Sequence, residues 1–271
     1  MNLKTINKIP FYQFDKLSEF QDITHFISTR QGGVSKDHLE SLNLGSKVGD
    51  ELQNLNENKH RLASAMGFNA DQFVFPVQTH ENHVKIIRYD FLSEPQHINQ
   101  TFLDNTDALI TNLSGICLAV LVADCVPVLF YDPIEKVIAA THAGWRGTAK
   151  RITRNTVDLM IKNFNCKPQN ILACIGPSIG PDVYEVGNEV IEEFRKAYKT
   201  TDEILVQNET LDKALLNLWV ANKIQLLEAG IPDNNIEISN LCTYKNSDMF
   251  FSSRKSNTKT GRFAAGIMLI Q

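Results

Sequence analysis

The run GICLAVLVADCVPVLFYD, residues 115–132, constrains the fold more than any other part of the chain. It is near-continuously apolar, as expected for a strand buried on both faces. Asp124 and Pro127 interrupt it, so it is too short and too broken to span a membrane as a helix. A turn at Asp132 and Pro133 follows. KVIAATHA, residues 136–143, then returns as a second strand, and the pair reads as a hairpin.

Helical and extended patterns interleave elsewhere. ITHFISTRQGGVS predicts a strand running into a Gly-Gly turn, and residues 53–66 predict a helix stopped at Gly67. QFVFPVQTHENHVKII mixes β-branched and aromatic residues in one or two strands. Ile152, Thr156, Leu159, Met160 and Asn163 recur at helical spacing. NILACIGP is a short strand leading into a Gly/Pro loop at 176–181. Residues 186–198 and 212–229 read as helices, the second ending before Gly230. NIEISNL and GRFAAGIMLI close the chain as strands. Interleaved elements with hairpins predict a mixed α/β layered fold rather than a purely parallel sheet. No repeat, low-complexity tract or linker divides the sequence, so residues 1–271 are read as one domain.

Composition narrows the class. Of 271 residues 43% are apolar and 21% charged, which suffices for a substantial core. A net charge of -4 argues against a nucleic-acid binder, which normally shows a basic face. The N-terminus lacks the apolar stretch of a signal peptide, so a cytoplasmic protein is expected, with no membrane association. The five cysteines form no C-x-x-C pair, against both a disulfide framework and a zinc ribbon.

Three residues stand out for chemistry. His80, in QTHENH with His83, follows an apolar strand. His142 ends another, and Cys125 lies within the apolar run. Strand ends at one sheet edge are where α/β enzymes gather reactive groups. Two imidazoles and a thiolate with an open fourth position describe a catalytic zinc site. The rival is a dyad with Cys125 as nucleophile and His142 as base. The plain alternative is a buried thiol with two strand-end histidines. His25, His38, His60 and His97 show no partner pattern.

Asp124, next to Cys125, points to the opposite face of a regular strand. A carboxylate there needs a partner, such as Arg146 or backbone amides, or else serves as an acid/base group. Asp107 poses the same choice. In HAGWRGTAK, Gly147 and Thr148 read as a helix start suited to an anion, with Arg146, Lys150 and Arg151 adding positive charge. IGPSIGP is a tight loop but matches no nucleotide fingerprint. SSRKSNTKTGR is basic and hydroxyl-rich, either an anion holder or a mobile loop.

Taken together, STRQGGVS, SLNLG, QTH, TDALIT, VADCVPVLFYDP, ATHAGWRGT, IGPSIGPDVYEVG and TGRFAAGIML resemble the bacterial YfiH-like family. That family is also called the laccase-domain or polyphenol-oxidoreductase family, and is better described as purine nucleoside phosphorylases. The resemblance covers nearly the whole chain. It implies a layered α/β mixed-sheet sandwich related to the catalytic domain of cytotoxic necrotising factors. It implies that His80, Cys125 and His142 form a metal-binding catalytic trio, with Zn2+ the metal and copper possible in vitro. It also implies phosphorolysis of adenosine, inosine and methylthioadenosine, with adenosine deamination. Purine nucleosides and phosphate are then the partners, and no obligate protein partner is implied. Arg30, Arg146 and Arg262 are the candidates to steady phosphate or substrate, and Asp124 the candidate to shuttle protons. Ser253 and Lys255 stand where relatives often carry Tyr and Arg.

The word laccase meets a chemical objection. A multicopper oxidase needs about ten histidines, commonly in H-x-H pairs. This chain has seven histidines and no such pair, so at most a single-site copper polyphenol oxidase is affordable. A Cys125/His142 amidase acting on cell-wall precursors is the other alternative, through resemblance to members linked with peptidoglycan quality control.

Overall fold

The apolar run at 115–132 forms two strands rather than one. Cys117–Val122 and Val126–Asp132 belong to different sheets. Between them Asp124 has a φ of 90°, in the left-handed region that Asp enters more readily than bulkier residues. There the chain turns from one sheet into the other. The computed structural model describes residues 1–94, 96–207 and 212–270.

The first sheet has six strands in the order Asn2–Ile6, Ile9–Gln13, Ile23–Ser28, Phe263–Leu269, Cys117–Val122 and Phe73–Val74. The second also has six: Ile236–Ile238, Leu172–Ile175, Val126–Asp132, Val137–Ala143, Ala108–Thr111 and Val84–Ile86. The expected hairpin forms, with Val126 opposite Ala143 and Pro127 opposite His142.

Period-two alternation then builds three cores. Leu118, Val120 and Val122 of the first sheet face Leu129, Tyr131, Ile138 and Ala140 of the second. Behind the first sheet, Phe26, Cys117 and Ala119 pack on Leu62 and Ala63 of helix Leu52–Met66. Behind the second, Val128, Phe130 and Ala139 meet helices Ile152–Phe164 and Leu218–Glu228. Each fully buried Leu, Ile or Val contributes about 1.5–3 kcal/mol through area removed from water. The result is a mixed α/β sandwich of helix, sheet, sheet and helices.

Several boundaries differ from the sequence reading. The helix expected at 186–198 is preceded by a strand, Glu185–Gly187, and runs Asn188–Ala197. In the segment 212–229, Lys213–Leu216 is a strand, pairing with Glu185–Gly187 and Leu205–Gln207 in a three-stranded sheet. Helix Leu218–Glu228 starts only after Asn217, whose side chain accepts a hydrogen bond from the Val220 N–H. QFVFPVQTHENHVKII splits into Phe73–Val74 and Val84–Ile86, one in each six-stranded sheet. Gly147 and Thr148 lie inside a short helix, Trp145–Ala149, and do not start one. Among the described residues no helix is long and apolar enough to cross a membrane.

Candidate active site

His80, Cys125 and His142 converge where the sheet-switching turn meets the end of the hairpin. One ligand atom from each lies within 4.8 Å of the other two. The rings of His80 and His142 meet edge to face, with centroids 4.8 Å apart and an interplanar angle of 83°. Gly144 makes this approach possible. A Cβ there would sit 3.1 Å from Cys125 Sγ and 3.2 Å from His80 Cδ2. At Gly147 a Cβ would come within 2.8 Å of the Glu81 carbonyl. These two glycines therefore admit close packing.

Asp107 organises the two histidines. Its Oδ1 accepts from His142 Nδ1 at 2.7 Å and from the His80 N–H at 3.0 Å. Its Oδ2 accepts from the N–H groups of Thr79 and Glu81. His80 itself has a φ of 63°, and this carboxylate secures its turn. With Nδ1 donating to Asp107, the other nitrogen of His142 is the free ligand atom. Gln78 ties the same loop to the first sheet. Its amide accepts from the Leu121 N–H and donates to the Leu121 carbonyl, each at 2.8 Å.

The electrostatics follow from this packing. Burial raises the Cys125 thiol, but the adjacent His142 and His80 rings outweigh it and bring the group down to about 6. Burial lowers His142, but Cys125 and Asp107 outweigh it and raise the ring to about 9. Asp107 is raised by burial and lowered further by its bonds to His142 and the backbone N–H groups, so it lies below the usual carboxylate range. A half-buried thiol between two imidazoles, one fixed by a carboxylate, is a donor set that fits zinc or copper. It is the one group of this kind among the described residues.

The cluster opens into a cavity of about 890 Å3. Phe75, Pro76, Val77 and Leu121 give it apolar lining, while Tyr184, Arg146, Arg254 and Arg262 give it polar lining. Arg146 and Arg262, two of the three arginines read as anion candidates, line this cavity. Arg146 lies 4.3 Å over the Trp145 ring and 4.0 Å from Glu189. Arg30 does not line the cavity, against expectation. Its Nε donates to the Glu40 carbonyl at 2.8 Å and its Nη1 to the Ser247 carbonyl at 2.9 Å. The guanidinium also stacks 4.6 Å over Phe251. Its donors thus tie loops together away from the cluster.

Asp124 shows the partnered alternative. Its Oδ1 accepts from Thr243 Oγ1 and its Oδ2 from the Arg254 N–H, each at 2.6 Å, while its carbonyl accepts from the Ile179 N–H. The Thr243 hydroxyl and a backbone amide, not Arg146, are the partners. Of the other histidines, His25 is buried with its Nε2 accepting from the Phe14 N–H, a structural use. His83 contacts the Asn105 carbonyl. The His97 side chain lies outside the described residues. Sequence reasoning marked the SSRKSNTKTGR segment as an anion holder or a mobile loop without naming Arg254, missed Tyr184, and left the role of Asp107 open.

The fold and this cluster together define the class. The family model described as multi-copper polyphenol oxidoreductase laccase matches residues 24–270, and the chain belongs to that family. Individual relatives carry other names. A Bacteroides thetaiotaomicron protein named purine nucleoside phosphorylase is 41% identical over 256 residues, covering 94% of this chain and 95% of its own. A protein named adenosine deaminase RL5, from an unknown prokaryotic organism, is 34% identical over 96% of this chain and 98% of its own. The crystal structure of a Bacillus licheniformis hypothetical protein YfiH superposes with a TM-score of 0.88 at 33% identity, covering 96% of each chain.

Proposed function

We propose that the chain is a single-domain, zinc-dependent purine nucleoside phosphorylase. It would cleave adenosine, inosine and methylthioadenosine to the free base and (methylthio)ribose 1-phosphate, and deaminate adenosine at the same site. The observation that carries this reading is the His80–Cys125–His142 cluster, locked by Asp107, at a cavity lined by both apolar and guanidinium groups. The names of the relatives supply the substrate class.

In phosphorolysis a phosphate oxygen bonds to the anomeric carbon as the carbon–nitrogen bond breaks. The departing electron pair is taken up by the purine, which gains a proton. His80, Cys125 and His142 would hold the metal, which supplies Lewis-acid charge. Asp107 fixes the His142 tautomer and the His80 loop. Arg146 and Arg262 neutralise the attacking anion. The apolar lining receives the purine. Asp124 acts by position, holding Cys125 against Thr243 and the Arg254 backbone.

The experiment is metal analysis of the purified protein with product analysis on adenosine plus phosphate. One zinc per chain and ribose 1-phosphate are expected. His80→Ala, Cys125→Ala and His142→Ala should each abolish turnover in a folded protein. Absence of both zinc and ribose 1-phosphate refutes the reading. A second reading, a Cys125 hydrolase with His142 as base, is favoured by the thiol lying between two imidazoles. It requires activity that survives chelation.

A further inference from the structure

We infer that Arg254 is the principal residue of an anion subsite that takes inorganic phosphate beside Cys125. This deepens the phosphorylase reading and rests on it for the identity of the anion. Four observations carry it.

First, Arg254 is anchored to the centre of the site through its backbone. Its N–H donates to Asp124 Oδ2 at 2.6 Å, and Asp124 immediately precedes Cys125. Second, its side chain is aimed and half used. The guanidinium lies 5.0 Å over the Tyr184 ring, and Nη1 donates to the Glu185 carbonyl at 3.0 Å. Tyr184 lines the same cavity. A planar fork held on one side by stacking and one hydrogen bond keeps donors for a bidentate partner.

Third, the positive charge around it is unbalanced. Arg146 and Arg262 line the cavity with Arg254, and so does Lys47. Arg262 gives Nη1 to the Thr260 and Gly261 carbonyls. No carboxylate pairs with Arg254 or Arg262 among the described residues, and Arg146 reaches Glu189 only at 4.0 Å. Asp124 and the Cys125 thiol are the groups in the lining that can carry negative charge, and both attract Arg262, but the four cations outnumber them. Fourth, the rest of the chain does not explain this excess. Its net charge is -4, so a cationic cavity is a local arrangement. Cations that lack carboxylate partners beside a reactive cluster mark where a multiply charged oxyanion binds.

The test uses the metal-loaded, full-length protein, with inorganic phosphate as the probe in titration calorimetry. Arg254→Gln keeps the backbone N–H on Asp124 and removes only the cationic fork. Lys255→Gln is the control. Lys255 stacks 4.7 Å from the Tyr244 ring and does not line the cavity. The expected result is a phosphate Kd raised about tenfold or more in Arg254→Gln, the scale of a lost charge-assisted contact. The control should stay within about twofold of wild type, as expected for an exposed, screened charge that does not line the cavity. In steady state the KM for phosphate should rise more than the KM for nucleoside.

An unchanged phosphate Kd in Arg254→Gln overturns the inference, as does an equal loss in Lys255→Gln or a wild type that does not bind phosphate. The functional reading fails separately. Arg254-dependent phosphate binding without ribose 1-phosphate would remove the phosphorylase and leave the subsite. Ribose 1-phosphate formed with an Arg254-independent KM would do the reverse.

Discussion

Replacing Asp107 with Asn tests how the candidate centre is held. The carboxylate accepts from His142 Nδ1, from the His80 N–H, and from the N–H groups of Thr79 and Glu81. An amide of the same shape keeps one acceptor oxygen and turns the other into a donor. Either His142 and His80 or Thr79 and Glu81 then face an NH2 group. Each buried donor left without an acceptor costs about 1–3 kcal/mol, so a drop in melting temperature is expected. The effect on metal should be larger than stability alone predicts. Loss of the partner that orients a ligating histidine typically costs about 10–100-fold in metal affinity, or about 1.4–2.7 kcal/mol. The assay is competition for zinc against a chromophoric chelator, run where circular dichroism shows the variant folded. A folded Asp107→Asn protein that holds zinc within about twofold of wild type would sink the idea that this carboxylate orients the centre.

Two further predictions rest on different contacts. Gly144→Ala places a Cβ 3.1 Å from Cys125 Sγ and 3.2 Å from His80 Cδ2. It should weaken metal binding at least severalfold while costing about 1–3 kcal/mol of stability, read by the same competition assay and by urea unfolding. His25 supplies a pH dependence. Burial pushes its ring from 6.5 down to about 4, and its acceptor role to Phe14 requires the neutral form. The unfolded chain therefore takes up a proton before the folded one does. This stability is full above pH 6.5 and is lost as pH falls toward 4. At pH 4.5 the loss is about 2–3 kcal/mol. Urea unfolding of His25→Gln should show a shallower decline by that amount, and parallel curves would refute it.

Local pattern made the layers legible and left the switch between them hidden. The hairpin at 126–143 and the helices at 52–66 and 152–164 follow from period and stop signals. The break at Asp124 does not, because both flanking strands are buried on both faces and no polar alternation marks the change of sheet. Lys213–Leu216 shares the leucine spacing of the helix after it. Pairing into the three-stranded sheet overrode that pattern, and Asn217 was the cap that marked the true start. Cys125 and His142 of the trio stand at strand ends, but His80 lies in the loop between Phe73–Val74 and Val84–Ile86, not at a strand end. Arg30 and Arg254 were indistinguishable as letters. The loop reaching Glu40 and Ser247 captures one, and the carboxylate of Asp124 anchors the backbone of the other beside the cavity.

The turn at Asp124 also bears on how the molecule holds together. Cys125 stands where the chain passes from one sheet to the other, and His142 lies across the hairpin from Pro127. His80 comes from a loop that Gln78 fastens to Leu121 of the first sheet and Asp107 fastens to the second. An ion bound by all three would therefore act as a rivet between the layers. It would close long chain loops that the unfolded protein leaves open. Occupancy and sheet docking then become one equilibrium, and the melting temperature should rise with free metal concentration.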